Sequence, residues 1–123
     1  MGAKKILYVE DNPANLRLVQ QILERRPDSE LISAHTPELG LELAQGHVPD
    51  LILLDINLPG MDGYEVLKRL RELDETRDIP VIAISANAMP RDIEKGMNAG
   101  FMEYITKPIN VVDFLDAVKR VLQ

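Results

Sequence analysis

Leu51-Ile52-Leu53-Leu54 runs straight into Asp55, with Asp50 just before it and Asn57, Pro59 and Gly60 just after. A continuous apolar run of this length, bounded by turn formers, reads as a strand buried on both faces of a parallel sheet. Asp55 then stands where that strand meets solvent at its C-terminal end. In open α/β sheets this is the edge at which ligands and chemistry gather.

The rest of the chain repeats the pattern. Lys4 to Val9 is a first apolar strand that ends in Glu10-Asp11. Asn12-Pro13 opens a helix as N-cap and first helical residue, with Leu16, Val19, Ile22 and Leu23 at helical spacing. Glu30 to Ala34 is a weaker second strand, and Thr36-Pro37 opens a helix that runs to about Gly46. After the central strand, the turn formers Pro59 to Gly63 lead into a helix with Val66, Leu67, Leu70 and Leu73 on its apolar side. Ile79 to Ile84 is a fourth strand, ending at Ser85-Ala86. Pro90 begins a helix whose apolar face is thin, little beyond Ile93 and Met97, and Gly100 closes it as a C′ residue. Phe101 to Thr106 is the fifth strand, followed by Lys107-Pro108 and a last helix bearing Phe114, Leu115, Val118, Val121 and Leu122.

Five βα units with short connections predict parallel crossovers. Strands one, three and four are apolar throughout and suit the centre of a sheet, while two and five are mixed and suit its edges. With right-handed crossovers the order is 2-1-3-4-5, a doubly wound, flavodoxin-like α/β domain spanning 1–123. At 123 residues the chain is one domain, able to bury a core without disulfides or structural metal. It has no cysteine, which excludes thiolate metal sites and is compatible with a cytoplasmic setting. A net charge of −6 argues against direct nucleic-acid binding. No apolar run is long enough for membrane insertion.

In that strand order Glu10-Asp11, Asp55, Ser85 and Lys107 face one crevice. Three carboxylates within roughly 5 Å would repel by roughly 3 kcal/mol per pair at an effective dielectric near 20, so the cluster calls for a cation. Oxygen ligands without His or Cys point to Mg2+, leaving positions for phosphoryl oxygens. Lys107 adds a mobile positive charge and Ser85 a hydroxyl donor. Together these groups make a site for phosphoryl transfer to Asp55, giving an aspartyl phosphate.

Val9-Glu10-Asp11-Asn12, Leu53 to Pro59, Ser85-Ala86 and Tyr104 to Pro108, in this order on these strand ends, resemble the receiver domain of two-component response regulators across the whole chain. The Val9-to-Asn15 and Ser85-to-Pro90 segments are most similar to receivers attached to hybrid sensor histidine kinases. The resemblance implies that Asp55 is the phosphoacceptor and that Glu10 and Asp11 hold Mg2+ directly or through water. It also implies that Asn57 lends the metal its backbone carbonyl, that Lys107 pairs with the phosphoryl group and that Ser85 hydrogen-bonds it. Lys107-Pro108 matches the motif in which the family carries a cis peptide. The implied partner is a sensor histidine kinase or histidine phosphotransfer domain, with homodimerisation on phosphorylation left open. Phosphorylation adds about −1.5 to −2 charges. The resemblance implies that Ser85 is then drawn in and Tyr104 turns inward, repacking the face of helix four, strand five and helix five.

Such a chain is a switch rather than an enzyme: it catalyses its own phosphorylation and slow dephosphorylation. A haloacid-dehalogenase-type phosphohydrolase would place a second Asp where Asn57 stands. A flavodoxin would need a Ser/Thr/Gly-rich loop where Glu10-Asp11 stand, and a pseudo-receiver would not need the full set of chemical residues. His35 and His47 read as solvated surface residues and the methionines as filler.

Overall fold

The computed structural model describes residues 3–122; residues 1, 2 and 123 of the expected 1–123 domain lie outside the described residues. The elements are β1 (Lys4–Val9), α1 (Pro13–Leu23), β2 (Ser29–Ala34), α2 (Pro37–His47), β3 (Leu51–Asp55), α3 (Gly63–Glu72), β4 (Val81–Ser85), α4 (Pro90–Ala99), β5 (Glu103–Thr106) and α5 (Val111–Leu122). The five strands form one parallel sheet in the order β2-β1-β3-β4-β5, the doubly wound, flavodoxin-like arrangement read from the pattern of apolar runs. All of β3 and β4 is buried, whereas β2 and β5 are mostly half-exposed, as central and edge strands should be.

Local chemistry starts the helices where expected. Asn12 Oδ1 accepts from the Ala14 N–H at 2.8 Å and Thr36 Oγ1 from the Leu39 N–H at 3.0 Å, each satisfying an orphan donor of a first turn that contains proline. Gly100 ends α4 with φ +116°, the left-handed conformation that glycine adopts without strain.

Successive strand residues point to opposite faces, and this splits the core into two layers. Ile6, Tyr8, Leu53, Ile82, Ile84 and Ile105 pack beneath α1 and α5. Leu7, Val9, Leu54, Val81 and Ala83 pack against α2 and α3. The same alternation puts Asp55 of β3 in the first set, and Ser85 of β4 and Tyr104 of β5 in the second; Glu10 and Lys107, each one residue past its strand, meet Asp55 on the first face.

Several boundaries differ from the sequence reading. β4 starts at Val81 rather than Ile79, because Pro80 has no N–H to donate and the Ile79 N–H closes a turn onto the Thr76 carbonyl. β5 starts at Glu103, with Phe101 buried against the α3 layer instead of lying in the strand. Leu73 leaves the apolar stripe of α3 to become its C-cap, with extended backbone. The thin face of α4 is also not the one expected. Ile93 is half-buried, Met97 is 44% exposed, and the buried residue of the helix is Gly96. A Cβ at Gly96 would lie 2.7 Å from Cδ2 of Tyr104, so this helix docks by the absence of a side chain. His35 and His47 are exposed, as read.

Candidate active site

Pairing of Val9 with Leu54 sets the ends of β1 and β3 side by side, so Glu10 and Asp55 are neighbours at the carboxyl edge. Both side chains follow the α1/α5 face, and both carboxylates are buried, 1% and 3% exposed. Buried like charges need compensation. The third member of that face supplies it: Lys107, just past β5, donates from Nζ to Glu10 Oε1 at 3.1 Å and to Asp55 Oδ2. Its backbone N–H is tied to the Ser85 carbonyl at 2.8 Å, and the Lys107-Pro108 peptide that follows is cis.

Glu10 is saturated with donors. Oε1 accepts from the Tyr8 hydroxyl (3.0 Å), Asn15 Nδ2 (3.1 Å) and Lys107 Nζ, while Oε2 accepts from the Asp11 and Asn12 N–H groups at 3.1 and 3.3 Å. Burial works against ionisation of Glu10, but the bonds from Lys107 and Tyr8 outweigh it and hold the carboxyl below its ordinary range. Asp55 has fewer donors, the Asn57 N–H on Oδ1 at 2.8 Å and Lys107 on Oδ2, and burial pushes its pKa up. Burial alone would lower Lys107, but its bonds to Asp55 and Glu10 raise it, so the ammonium persists.

Within the cluster the compensating charge is Lys107, which lies between Glu10 and Asp55, while Asp11 is exposed. Among the described residues no three of His, Cys, Asp or Glu are gathered closely enough to hold a metal ion. Spacing along the strands could not reveal this, because the compensating charge comes from a residue 97 positions from Glu10 and 52 from Asp55. The remaining donors at this edge, the Asp11 and Asp55 carboxylates and the Asn57 backbone carbonyl, are all oxygens and suit a hard divalent ion. Glu10 does not fit as a direct ligand in this arrangement, since all its acceptor positions are engaged.

On the opposite face a hydrogen-bonded relay leads away from Asp55. Asn57, whose N–H sits on Asp55, presents Oδ1 to the Ser85 hydroxyl at 2.8 Å and to the Ala86 N–H at 3.3 Å. Ser85 Oγ accepts from the Asn87 N–H at 3.0 Å, and the Asn87 carbonyl accepts from the Tyr104 hydroxyl at 2.8 Å. Tyr104 is half-buried, with its ring against Gly96 of α4. Sequence reasoning placed Ser85, Asn57 and Tyr104 at the site but missed that the Asn57 side chain joins them. It also missed Tyr8 and Asn15; only the i, i+2 spacing of Tyr8 and Glu10 on one strand hinted at the first. Gly63 escaped notice as well. It is not only a turn former but the first residue of α3, where a Cβ would lie 2.6 Å from Ile56 and force apart the loop that follows Asp55.

No helix among the described residues is long and apolar enough to cross a membrane. Residues 6–119 match the family model described as the response regulator receiver domain. The chain is 43% identical over 119 residues to the polar-differentiation response regulator DivK of Brucella anthropi, covering 97% of this chain and 96% of that protein. Among solved structures it is similar to the receiver domain of a sensor histidine kinase from Pseudomonas aeruginosa, which has a magnesium ion coordinated in its active-site cleft (TM-score 0.86, 30% identity, 98% of each chain). It is also similar to the chemotaxis response regulator CheY4 of Vibrio cholerae (TM-score 0.88, 27% identity, 98% of this chain and 99% of that one). With its parallel sheet, its acid-lysine pair at the carboxyl edge and a match over nearly its whole length, this chain belongs to the response regulator receiver domain family.

Proposed function

We propose that Asp55 takes a phosphoryl group from a phosphohistidine of a sensor histidine kinase or histidine phosphotransfer domain, in the cytoplasm, with residues 1–123 acting as one switching unit. One observation carries this: a carboxylate 3% exposed at the end of a central strand, with an ammonium on one oxygen and a backbone N–H on the other. In the transfer, an Asp55 oxygen attacks phosphorus in line. The O–P bond forms as the P–N bond breaks, and the departing imidazole takes its proton from solvent. Lys107 neutralises charge on the phosphoryl oxygens, and Glu10 holds Lys107 from behind. When bound, Mg2+ held by Asp11, Asp55 and the Asn57 carbonyl supplies further charge neutralisation there.

The new phosphoryl oxygens compete with Asn57 Oδ1 for the Ser85 hydroxyl. Movement of Ser85 withdraws the acceptor of the Asn87 N–H, and through Asn87 it loosens the Tyr104 hydroxyl. The ring is then free to turn inward, which repacks α4, β5 and α5. The domain carries out its own phosphorylation and slow dephosphorylation as a switch. Intact mass after incubation with phosphoramidate and Mg2+ tests the assignment. One added phosphoryl group in the wild type and none in Asp55→Asn is the expected result. No addition to the wild type would overturn it and leave a partner-binding pseudo-receiver.

A further inference from the structure

We propose that Tyr8 is a positioning residue for phosphoryl transfer, its hydroxyl acting through Glu10 to keep the Lys107 ammonium over Asp55. This rests on the reading of Asp55 as phosphoacceptor.

Tyr8 lies in the innermost layer of the sheet, fully buried among Ile6, Leu53, Ile82 and Ile84. A phenylalanine would fill the same space. A hydroxyl there costs about 1–3 kcal/mol of desolvation unless it is satisfied. It is satisfied by Glu10, whose side chain lies two residues along the same strand face. Oε1 of Glu10 has two lone pairs and three donors: Tyr8, Asn15 and Lys107. Shared in this way, it holds Lys107 Nζ at 3.1 Å, beyond the usual range for an ammonium on a carboxylate. Each neutral donor that occupies Oε1 weakens the pull of Glu10 on the ammonium and leaves it to Asp55. Tyr8 is the donor that cannot swing away, because its ring is locked in the core.

Removing the hydroxyl by Tyr8→Phe therefore lets Lys107 shift toward Glu10. In the metal-free full chain, the side-chain 15Nζ resonance of Lys107 should move relative to wild type. At saturating Mg2+, phosphoryl uptake from phosphoramidate should slow by about tenfold, the scale of one hydrogen bond to a charged group. In a Lys107→Ala background Tyr8→Phe should have no further effect on the rate. An unmoved Lys107 resonance, or equal slowing with and without Lys107, would overturn the proposal and reduce Tyr8 to packing. Asn15→Ala removes another donor from the same oxygen without touching the core, and it should shift Lys107 in the same direction should Tyr8→Phe fold poorly. Absence of uptake in the wild type would instead defeat the phosphoacceptor reading, while the Lys107 resonance would still decide the role of Tyr8.

Discussion

Gly96→Ala in α4 should uncouple this helix from the sheet by adding one methyl group. The new Cβ would lie 2.7 Å from Cδ2 and 3.0 Å from Cε2 of Tyr104. Carbon atoms pack at about 3.5–4.0 Å, so the ring or the helix must give by about 1 Å. Gly96 is the buried residue of α4, so little else holds the helix in place. Overpacking costs about 1–3 kcal/mol, and replacing a mid-helix glycine by alanine returns about 1 kcal/mol. The net is a destabilisation of about 1 kcal/mol, or about 4 °C in melting temperature for a domain of this size. In a Tyr104→Ala background the clash is gone and only the helix propensity remains. There the same substitution should raise the melting temperature by about 4 °C. Thermal melts of the four proteins, followed by circular dichroism, measure the change of sign. Equal shifts in both backgrounds would refute the claim that α4 docks through contact between Gly96 and the Tyr104 ring.

Glu10→Gln should cost stability in metal-free protein at neutral pH. The folded-state pKa of Glu10 lies below its ordinary 4.5, so its contribution is present above that value and fades as pH falls through the folded one. Urea melts against pH should show the two curves converging in acid, and a constant gap would contradict the assignment. Thr76→Val should cost about 1–2 kcal/mol, because the fully buried hydroxyl donates at 2.6 Å to the Leu70 carbonyl in the last turn of α3. A urea midpoint equal to that of the wild type would argue against it. Asn57→Ala removes the acceptor of the Ser85 hydroxyl and Ala86 N–H. Amide shifts at Asn87 and Tyr104 should then move before any phosphorylation, and still resonances there would break the relay.

The sheet was legible because its signals are local. Apolar runs give the strands, Asn12-Pro13 and Thr36-Pro37 give helix starts, and the all-apolar or mixed character of each strand gives its place in the order. Boundaries failed where a neighbour intervened, as when Pro80 delayed β4 and the buried Phe101 shortened β5. At the site, the residue types and their strand ends were readable, but their states were not. Asp11 was counted with Glu10 and Asp55, although it is exposed while those two are buried and joined through Lys107. The α4 stripe was read from Ile93 and Met97, although the helix is held at Gly96.

By itself the sequence determined which residues reach the carboxyl edge, because hydrophobic periodicity and turn chemistry act over a few positions along the chain. Only the tertiary structure decided how those residues share charge. Lys107 lies between Glu10 and Asp55, Tyr8 and Asn15 crowd the oxygen it shares, and Asn57 joins Asp55 to Ser85. Hydrogen bonds and ion pairs depend on separations of about 3 Å. Between residues far apart in the chain, such separations are set by strand register and by the face of the sheet each side chain leaves.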